Sequence, residues 1–372
     1  MFFLKKVLAI MLILFLLINN KTYGTTKSFL NISAKSAIAI EQDTKRILYS
    51  KNANEKLAMA STTKIMTAIL TIEEIDINKE IEIPKEAIGV PGSSMYLEKG
   101  EKLKIIELLY GLMLTSGNDA AVALAIAVAG STENFVNMMN QKANDLGMLN
   151  TKFSSPHGLE LGPHYTTAYD LAILTAYAMN NSVFRKIVST KEIEVRWLTR
   201  EYNRKLRNKN KMLNIYQGAD GVKTGFTRKA GRCLVSSAYR NHFRVITVVL
   251  NAPDMWNDSK KILDYAFTKY SKYNLYNKME EIGLIFIRDS EEKWYPFGIL
   301  QPFSVIKLPE EILNTKILVN KVKAPLCKGA KVGTIEIIYG DKKDARDLIL
   351  LKDCKKESIP NKFRRRFRII LP

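Results

Sequence analysis

Three apolar stretches follow one another closely between residues 221 and 250, and they constrain the fold more than any other feature. They read, in order, GVKTGFT, GRCLVSSAY and FRVITVVL, and short turns such as YRNHF separate them. Neighbouring strands joined by short turns run antiparallel, since a parallel connection needs a crossover of about a dozen residues or more. The sequence therefore predicts an antiparallel meander over this region.

Amphipathic helices lie on both sides of the meander in the sequence. Ile65, Ile69 and Ile72 recur at spacings of four and three, and Thr167 followed by Asp170 is typical of a capped helix N-terminus. Other helical stretches are 104–129, broken by TSGND, then ENFVNMMNQKANDLGM, and finally DSKKILDYAFTKY. SAIAIEQDTKRILYS, before them all, predicts two short strands around a turn. We therefore expect an α+β fold, an antiparallel sheet flanked by helices.

The pattern changes near residue 275, where short strands and turns replace helical periodicity. The strands lie in IGLIFI, TKILVNKVKAPLCKGAKVGTIEIIYG and ARDLILL. Short strands without intervening helices predict a separate, small all-β domain at the C-terminal end. We expect a main domain over 25–274, a small β-sandwich-like domain over 275–355 and a tail over 356–372.

The N-terminal residues 1–24 have the pattern of a secretory signal peptide. Lys5 and Lys6 form a basic start, twelve apolar residues follow over 7–18, and small residues then suit a cleavage site. Twelve apolar residues are too few to span a bilayer comfortably, although an uncleaved anchor stays an alternative. We expect export to the outer face of the cytoplasmic membrane or the cell wall, with peripheral attachment.

The composition narrows the class of partner. The net charge is +20, which in an exported protein favours anionic wall polymers or lipid headgroups, and no motif for nucleic-acid binding accompanies it. The three cysteines are too few for a disulfide framework, although one bond between Cys327 and Cys354 stays open. With three histidines and no C-x-x-C, we expect neither a metal site nor a cofactor.

Ser61 lies in the most informative stretch, AMASTTKIMTAIL, and Lys64 follows it three residues later. A serine before an apolar run is most often a helix N-cap, so a lone S-x-x-K is a weak indication of chemistry. The same spacing recurs at Ser290–Lys293 and Ser304–Lys307, in charged or strand-like surroundings. The Ser61 copy differs from both because a helix is predicted to begin there.

Two further motifs follow the Ser61–Lys64 pair in a fixed order. Ser116-Gly117-Asn118 breaks an apolar helical region, and Lys223-Thr224-Gly225 lies in the first strand of the meander. The set S-x-x-K, S-D-N and K-T-G is found in penicillin-binding proteins and class A β-lactamases, and here glycine replaces the aspartate of the second motif. Each motif alone is weak, but all three in their expected elements strongly indicate acyl-transfer chemistry.

The residue types fit that chemistry. Residues three apart share a helix face, so Lys64 can place its amine beside the Ser61 hydroxyl and act as its base. The lysine must lose its proton first, and burial or the charge of Lys223 would lower its pKa. A residue as small as Gly225 lets another backbone approach closely. We expect backbone N–H groups of Ser61 and Phe226 to form the oxyanion hole.

The sequence resembles the low-molecular-mass penicillin-binding proteins that act as serine-type D-alanyl-D-alanine carboxypeptidases. The similar stretches are LAMASTTKIMTA, LTSGNDAAVALA, SSPHGLE, HYTTAYDLA, GVKTGFT and, in the C-terminal β domain, KVKAPLCKGAKVGTI. The resemblance implies the roles Ser61 nucleophile, Lys64 base, Ser116 and Asn118 proton relay and positioning, and Lys223 and Thr224 carboxylate recognition. From the close backbone approach and the oxyanion hole, we also expect Gly225 and Phe226 to bind substrate. It also implies a β-lactamase/transpeptidase-like fold, with peptidoglycan stem peptides and β-lactams as partners.

Two positions depart from the family pattern. Some members carry histidine directly after K-T-G, where this chain has Phe226, and some carry an arginine beyond the last sheet strand. That region reads APDMWNDSKK here, without arginine, so another cation is needed for the terminal carboxylate. Arg244, on the strand FRVITVVL, is the substitute that we expect.

Three alternative functions share these features. A class A β-lactamase needs a loop glutamate to activate water, and Glu160 lies in a suitable loop without the E-x-x-L-N pattern. A D,D-endopeptidase performs the same reaction on a larger substrate, and a catalytically silent wall-binding protein is least compatible with three intact motifs.

The tail ESIPNKFRRRFRIILP indicates membrane attachment. In a helix, Phe363, Phe367 and Ile370 would share one face with arginines beside or opposite it, as in interfacial helices. A disordered basic tail is the alternative, because about ten residues are few for a stable helix in water.

Overall fold

The computed structural model describes residues 30–159, 162–197 and 200–358. The chain divides into two units, Met1–Asn31 and Ile32–Pro372, and every element below belongs to the second. The predicted signal peptide, Glu160 and the residues of the tail from 359 onward lie outside the described residues.

A five-stranded antiparallel sheet forms the centre of the N-terminal part of the unit. Its order is β2-β1-β9-β8-β7, and its strands are β1 (Ser36–Glu41), β2 (Ile47–Lys51), β7 (Ala219–Thr227), β8 (Gly231–Arg240) and β9 (Phe243–Leu250). β7, β8 and β9 form the predicted meander, and β9 continues the sheet by pairing with β1. β7 therefore lies at an edge, with backbone groups on one side that no neighbouring strand of this sheet takes up.

Helices cover both faces of this sheet. They are α1 (Lys64–Glu74), α2 (Ile105–Tyr110), α3 (Asn118–Ala129), α4 (Thr132–Asp145), α5 (Ala168–Ala178), α6 (Ser182–Ser189), α7 (Met212–Ile215) and α8 (Met255–Lys269). Ile246, Val248 and Leu250 of β9 join one large core with α1, α3 and α5, while α8 packs on β8 and β9. Most of the strand is apolar because both of its faces are covered. The predicted α+β architecture is confirmed.

No single helix in the described ranges is long and apolar enough to cross a membrane. Helices α3 and α4 are long and apolar enough only when they are taken together, and a bend of 84° separates them. Ala120, Ala121, Ala123 and Leu124 of α3 are fully buried, which makes this helix part of the protein core.

Two short hairpins flank the helical part and were not predicted from the sequence. They pair β3 (Glu80–Glu82) with β4 (Lys102–Lys104), and β5 (Glu192–Val195) with β6 (Arg204–Arg207). Their strands are short and rich in charge, so they lack the apolar alternation that identifies a strand. A buried ion pair between Arg204 and Glu101 joins the two hairpins.

The C-terminal part is all β, as predicted. Its main sheet has the order β14-β16-β17-β12-β11-β15, and a separate pair joins β10 to β13. The strands are β10 (Ser271–Tyr276), β11 (Gly283–Arg288), β12 (Trp294–Ile299), β13 (Phe303–Lys307), β14 (Asn314–Val319), β15 (Val322–Lys323), β16 (Lys331–Tyr339) and β17 (Lys342–Leu350). Cys327 and Cys354 are free thiols, so the disulfide bond that the sequence left possible between them is not formed. The backbone of Cys354 pairs with that of Leu326.

Arg46 joins the two parts of the unit. It follows the β1–β2 turn, and its buried guanidinium forms an ion pair with Glu311 and donates to the carbonyl of Ile306 at 2.5 Å. The guanidinium also lies over the rings of Tyr270 and Tyr339, at 5.2 and 5.0 Å from their centroids. A charge this deeply buried needs its partners, so separating the β domain from the main sheet would leave the guanidinium without its carboxylate.

Candidate active site

Ser61 lies in a 3-10 turn, Ala60–Thr63, that leads directly into α1. The N-cap positions of the turn and of α1 belong to Met59 and Thr63, so Ser61 is not the helix cap that an isolated S-x-x-K favours. Its hydroxyl instead lies 3.1 Å from the amine of Lys64. The spacing of three residues thus brings the two groups together as expected.

The amine of Lys64 is completely buried. Besides Ser61 it contacts the side-chain oxygen of Asn118 and the carbonyl oxygen of His157, both at 2.7 Å. Burial, and then the positive charge of Lys223, hold the pKa of Lys64 well below its ordinary value of 10.5. Its neighbours in contact are neutral oxygens, and they can accept from a neutral amine as well as from an ammonium.

The second motif stands at the junction between two helical segments. A π-helical turn, Gly111–Thr115, ends at Ser116, which is buried and left-handed with φ 66°. Asn118 then begins α3, and its amide nitrogen donates to the carbonyl of Pro91 at 2.6 Å. That contact fixes the orientation of the side chain, so that its oxygen faces Lys64.

Asp119 was not foreseen from the sequence. It is buried beside the site and accepts from the backbone N–H groups of Met95 and Leu97 and from the hydroxyl of Ser94. These bonds hold the 91–97 loop whose carbonyl positions Asn118. The sequence did contain one indication, an aspartate at the start of an otherwise apolar helix. A carboxylate in such a helix is buried only when other groups donate hydrogen bonds to it.

The third motif lies on the edge strand β7. Lys223 is buried, and burial together with the charge of Lys209 lowers its pKa to about 7. A Cβ added at Gly225 would lie 3.1 Å from both the Met59 carbonyl oxygen and the Ser61 nitrogen. The predicted close approach of a second backbone at Gly225 is therefore confirmed. Thr224 is half-buried, and Phe226 is 66% exposed.

A loop over residues 154–159 closes the site from the other side. A Cβ added at Gly158 would lie 2.1 Å from the carbonyl oxygen of Ala60, so glycine is required there. His164 accepts from Ser154 N–H at Nδ1 (3.0 Å), which leaves its Nε2–H to donate to the Thr63 hydroxyl (2.8 Å). Burial and the charge of Lys64 lower the pKa of His157 to about 4, so its ring is neutral near pH 7.

Two non-glycine residues with left-handed backbones adjoin the reactive groups. Ala60 has φ 48° directly before Ser61, and Ser116 has φ 66°. Each such conformation costs about 1 kcal/mol or more and persists only where the surroundings impose it. Strain of this kind is concentrated at functional sites, which supports this cleft as the site of chemistry.

Arg244 is not at the site, and the expectation that it binds the substrate carboxylate is wrong. It pairs with Asp220 and donates to the side chain of Gln42 at 3.1 Å. The register sets Arg244 opposite Tyr239, whose N–H donates to the carbonyl of Gly218, the residue directly before β7. Seven residues of strand, roughly 23 Å, separate Gly218 from Gly225.

Arg232 and Lys209 are nearby cations that the sequence did not reveal. Arg232 lies on β8 directly opposite Phe226, and its guanidinium donates to the carbonyl of Pro253 at 2.9 Å. Lys209 donates to the hydroxyl of Ser93 at 3.1 Å and lowers the pKa of both Lys64 and Lys223. Pairing the residues of β7 and β8 outward from their turn would have placed Arg232 opposite Phe226. No sequence motif marks Lys209 as a residue of the site.

The residues described here contain no group of three His, Cys, Asp or Glu side chains placed to hold a metal ion. The groups that the cleft brings together are the serine hydroxyl, the lysine amines and backbone N–H groups.

Comparison with known proteins agrees with this geometry. Residues 23–254 match the family model described as D-alanyl-D-alanine carboxypeptidase (Peptidase_S11), and residues 270–356 match that of the penicillin-binding protein 5 C-terminal domain. The chain belongs to the D-alanyl-D-alanine carboxypeptidase family.

Individual relatives are similar over most of their length. The D-alanyl-D-alanine carboxypeptidase DacF of Bacillus subtilis (strain 168) is 38% identical over 327 residues, covering 85% of this chain and 84% of the relative. DacC of Escherichia coli (strain K12) is 32% identical over 347 residues, covering 87% and 85%. Penicillin-binding protein 5 of Haemophilus influenzae superposes with a TM-score of 0.75 at 26% identity, covering 88% of this chain and 99% of that structure.

The lowered pKa of Lys64 predicts the pH dependence of acylation. Only the neutral amine can take the serine proton, so the rate of β-lactam acylation rises with pH through the pKa of Lys64 and levels off well below pH 10.5. Stopped-flow measurement between pH 5 and 10 tests this.

Replacing Lys64 by arginine tests its role as the base. Arginine stays charged, so Lys64→Arg should lower the rate of acylation about 100-fold or more. A rate still rising at pH 10 would contradict the prediction, as would a Lys64→Arg rate within about tenfold of the original.

Proposed function

We propose that this protein is a serine D,D-carboxypeptidase that removes the terminal D-Ala from peptidoglycan pentapeptide stems, and that β-lactams acylate the same serine. The observation that carries the proposal is the Ser61 hydroxyl 3.1 Å from a buried lysine amine with a lowered pKa. Membership of the carboxypeptidase family and the names of its relatives support the substrate class.

The first step forms an acyl-enzyme. Neutral Lys64 donates its two N–H groups to Asn118 and the His157 carbonyl, which directs its lone pair at the Ser61 hydroxyl. The amine takes the hydroxyl proton as the serine oxygen bonds to the carbonyl carbon of the penultimate D-Ala. The peptide C–N bond then breaks, and the terminal D-Ala leaves as a neutral amine after receiving a proton through Ser116.

The second step hydrolyses the ester. Lys64 takes a proton from water, the resulting hydroxide bonds to the acyl carbon, and the C–O bond to Ser61 breaks as the serine oxygen is reprotonated. The products are the shortened stem with a new carboxylate and the free enzyme. Both steps pass through an oxyanion, for which we assign the backbone N–H groups of Ser61 and Phe226. The contact distance between Gly225 and Ser61 supports that assignment.

The edge position of β7 supports binding of an extended peptide. A stem that adds alongside β7 would bring its penultimate carbonyl to Ser61, because the strand passes within contact distance of the serine backbone at Gly225. β-Augmentation thus positions the substrate through main-chain bonds, and the cations beside the strand determine which chain end is accepted.

We further propose that Arg232 holds the terminal carboxylate together with Lys223 and Thr224. Thr224 pairs with Leu234 and Phe226 pairs with Arg232, so Arg232 is the diagonal neighbour of Thr224 on the same sheet face. Such neighbours lie about 7–8 Å apart, within reach of an arginine. The pKa of Lys223 is about 7, so it carries only part of its charge at neutral pH, whereas arginine keeps its charge.

The alternatives have less support. In the described ranges the contacts of Lys64 and Ser61 are with amide, carbonyl and hydroxyl oxygens, with no carboxylate of the kind that class A β-lactamases use to activate water. Glu160 lies outside those ranges. A D,D-endopeptidase uses the same steps, and it would lack the preference for a free terminal carboxylate.

We propose that the protein is exported and attaches to the outer face of the cytoplasmic membrane, where it takes part in peptidoglycan biosynthesis and cell shape. The signal-peptide pattern of residues 1–24 and the basic amphipathic pattern of the tail support this. Arginines near an anionic surface contribute about 1 kcal/mol each, screened by salt.

Replacing Ser61 tests the nucleophile. We expect Ser61→Ala to abolish both covalent labelling by a fluorescent penicillin and release of D-Ala from a pentapeptide. Ser304→Ala, which removes the serine of another S-x-x-K on β13, should label normally. Labelling of the Ser61→Ala protein at full stoichiometry would overturn the assignment.

Replacing Arg232 tests carboxylate recognition. We expect Arg232→Gln to lower kcat/KM for a pentapeptide ending in D-Ala-D-Ala roughly 10- to 100-fold, mainly through KM, because a charged hydrogen bond is lost. The rate on the C-terminally amidated peptide should hardly change. Arg228→Gln removes an equal charge from the neighbouring exposed turn and serves as the control. Equal loss on both peptides would show that Arg232 acts otherwise.

Truncation tests the tail. We expect the mature chain to float with phosphatidylglycerol vesicles at low salt, and a chain ending at Lys356 to float much less. Equal flotation of the two chains, or flotation of neither, would show that the tail is not an anchor.

A further inference from the structure

The outer face of strands β11 and β12 carries a strip of large apolar side chains. Leu284 and Phe286 alternate along β11 with the buried Ile285 and Ile287, and Trp294 of β12 lies opposite Phe286. Leu284, Phe286 and Trp294 are 53%, 48% and 57% exposed, and we call them the aromatic strip. The rings of Phe286 and Trp294 meet edge to face, with centroids 5.6 Å apart.

The fold of the β domain does not require the aromatic strip. Ile285, Ile287, Tyr295 and Phe297 already form its core from the inner face of these strands. An antiparallel sheet with one face in the core normally turns polar residues to water on the other face. Adjacent exposed apolar residues of this size typically mark a binding surface.

The C-terminal tail leaves the domain beside the aromatic strip. Lys356 bridges to Ser290, and the N–H of Glu357 donates to the carbonyl of Asp289 at 2.7 Å. Ser290 lies in the β11–β12 turn, next to the end of the sheet where Phe286 and Trp294 pair. The described residues therefore end at this edge of the domain, and the arginine-rich residues 359–372 follow them in the sequence.

The charges around the aromatic strip favour an anionic partner. Arg288 follows Phe286 on the same face, and Lys355 and Lys356 are exposed at the start of the tail. Three of the nearby acidic residues have lysine partners, in the pairs Asp289–Lys323, Glu292–Lys352 and Glu357–Lys293, while Glu291 is exposed in the same turn. Arg288, Lys355 and Lys356 thus outnumber the exposed Glu291 beside the strip, and the charge at its border is mainly positive.

We propose that the aromatic strip docks on an anionic lipid bilayer next to the tail, so that the β domain itself contacts the membrane. Tryptophan and phenylalanine partition to the headgroup boundary, and arginine and lysine bind the anionic lipids there. The inference rests on the proposed membrane attachment of the tail, and it adds a folded surface with a defined orientation. Phe286 and Trp294 enter the interface while Arg288 stays among the headgroups.

Fluorescence of Trp294 tests the docking directly. The mature chain with Trp197→Phe and Trp256→Phe keeps Trp294 as its single tryptophan. With vesicles of phosphatidylglycerol and phosphatidylcholine, we expect a blue shift of its emission and quenching by brominated lipid. Unchanged Trp294 emission from vesicle-bound protein would overturn the proposal and leave the tail as the only contact.

A pair of double variants tests the energetic contribution. In the same single-tryptophan chain, Leu284→Ser with Phe286→Ser should weaken partition into anionic vesicles about tenfold or more. Ile317→Ser with Leu318→Ser removes similarly exposed apolar side chains from β14, at the opposite edge region of the same sheet, and should leave partition unchanged. Equal partition of the two double variants would overturn the proposal.

Two further measurements separate this inference from the proposals on which it rests. D-Ala release from a soluble pentapeptide should be the same in all variants, which shows that they fold and keeps the enzymatic proposal independent. The chain ending at Lys356 should still show quenching of Trp294 at high lipid concentration, and its absence would contradict a contribution from the aromatic strip. Concentration-dependent dimerisation without lipid, lost in Leu284→Ser with Phe286→Ser, would instead identify a second copy as the partner and overturn the lipid proposal.

Discussion

The burial of a single amine is the constraint on which the rest of this structure depends. Lys64 is enclosed at the start of a central helix, where a permanent charge would be costly, and the surroundings favour its neutral form. Three separate segments each present one oxygen to it, from Ser61, Asn118 and the His157 carbonyl. Each segment must then be held in place by contacts of its own, such as those of Asp119 with the 91–97 loop.

Two glycines allow other backbone segments to pack closely against the turn that carries Ser61. At Gly158 the 154–159 loop approaches the Ala60 carbonyl too closely for a side chain, and at Gly225 an added Cβ would lie only 3.1 Å from the Ser61 nitrogen. The serine thus lies between two backbone segments, one on the side of the base and one on the side open to substrate. The segments that meet here are far apart in the sequence, and close packing of their backbones brings them together.

The sequence predicted the features that depend on local pattern. The meander, the flanking helices, the all-β C-terminal domain and the proximity of Ser61 to Lys64 all follow from periodicity or spacing, and the structure agrees. Arg244 was misplaced because its position depends on the hairpin register, which relates it to Gly218 instead of Gly225. The His157 carbonyl and Lys209 could not be found, because a backbone oxygen has no sequence signal and a lone surface-type lysine resembles many others.

The contact made by Arg46 has a mechanical consequence. Its guanidinium is buried against Glu311 and two tyrosine rings. Moving the β domain away from the main sheet would separate this buried ion pair, which is energetically costly. These contacts favour joint movement of the two parts. Joint movement would keep the distance between Ser61 and the far end of the β domain nearly constant. Under the proposed membrane attachment, that distance would determine which of many chemically identical stems the enzyme can reach and trim.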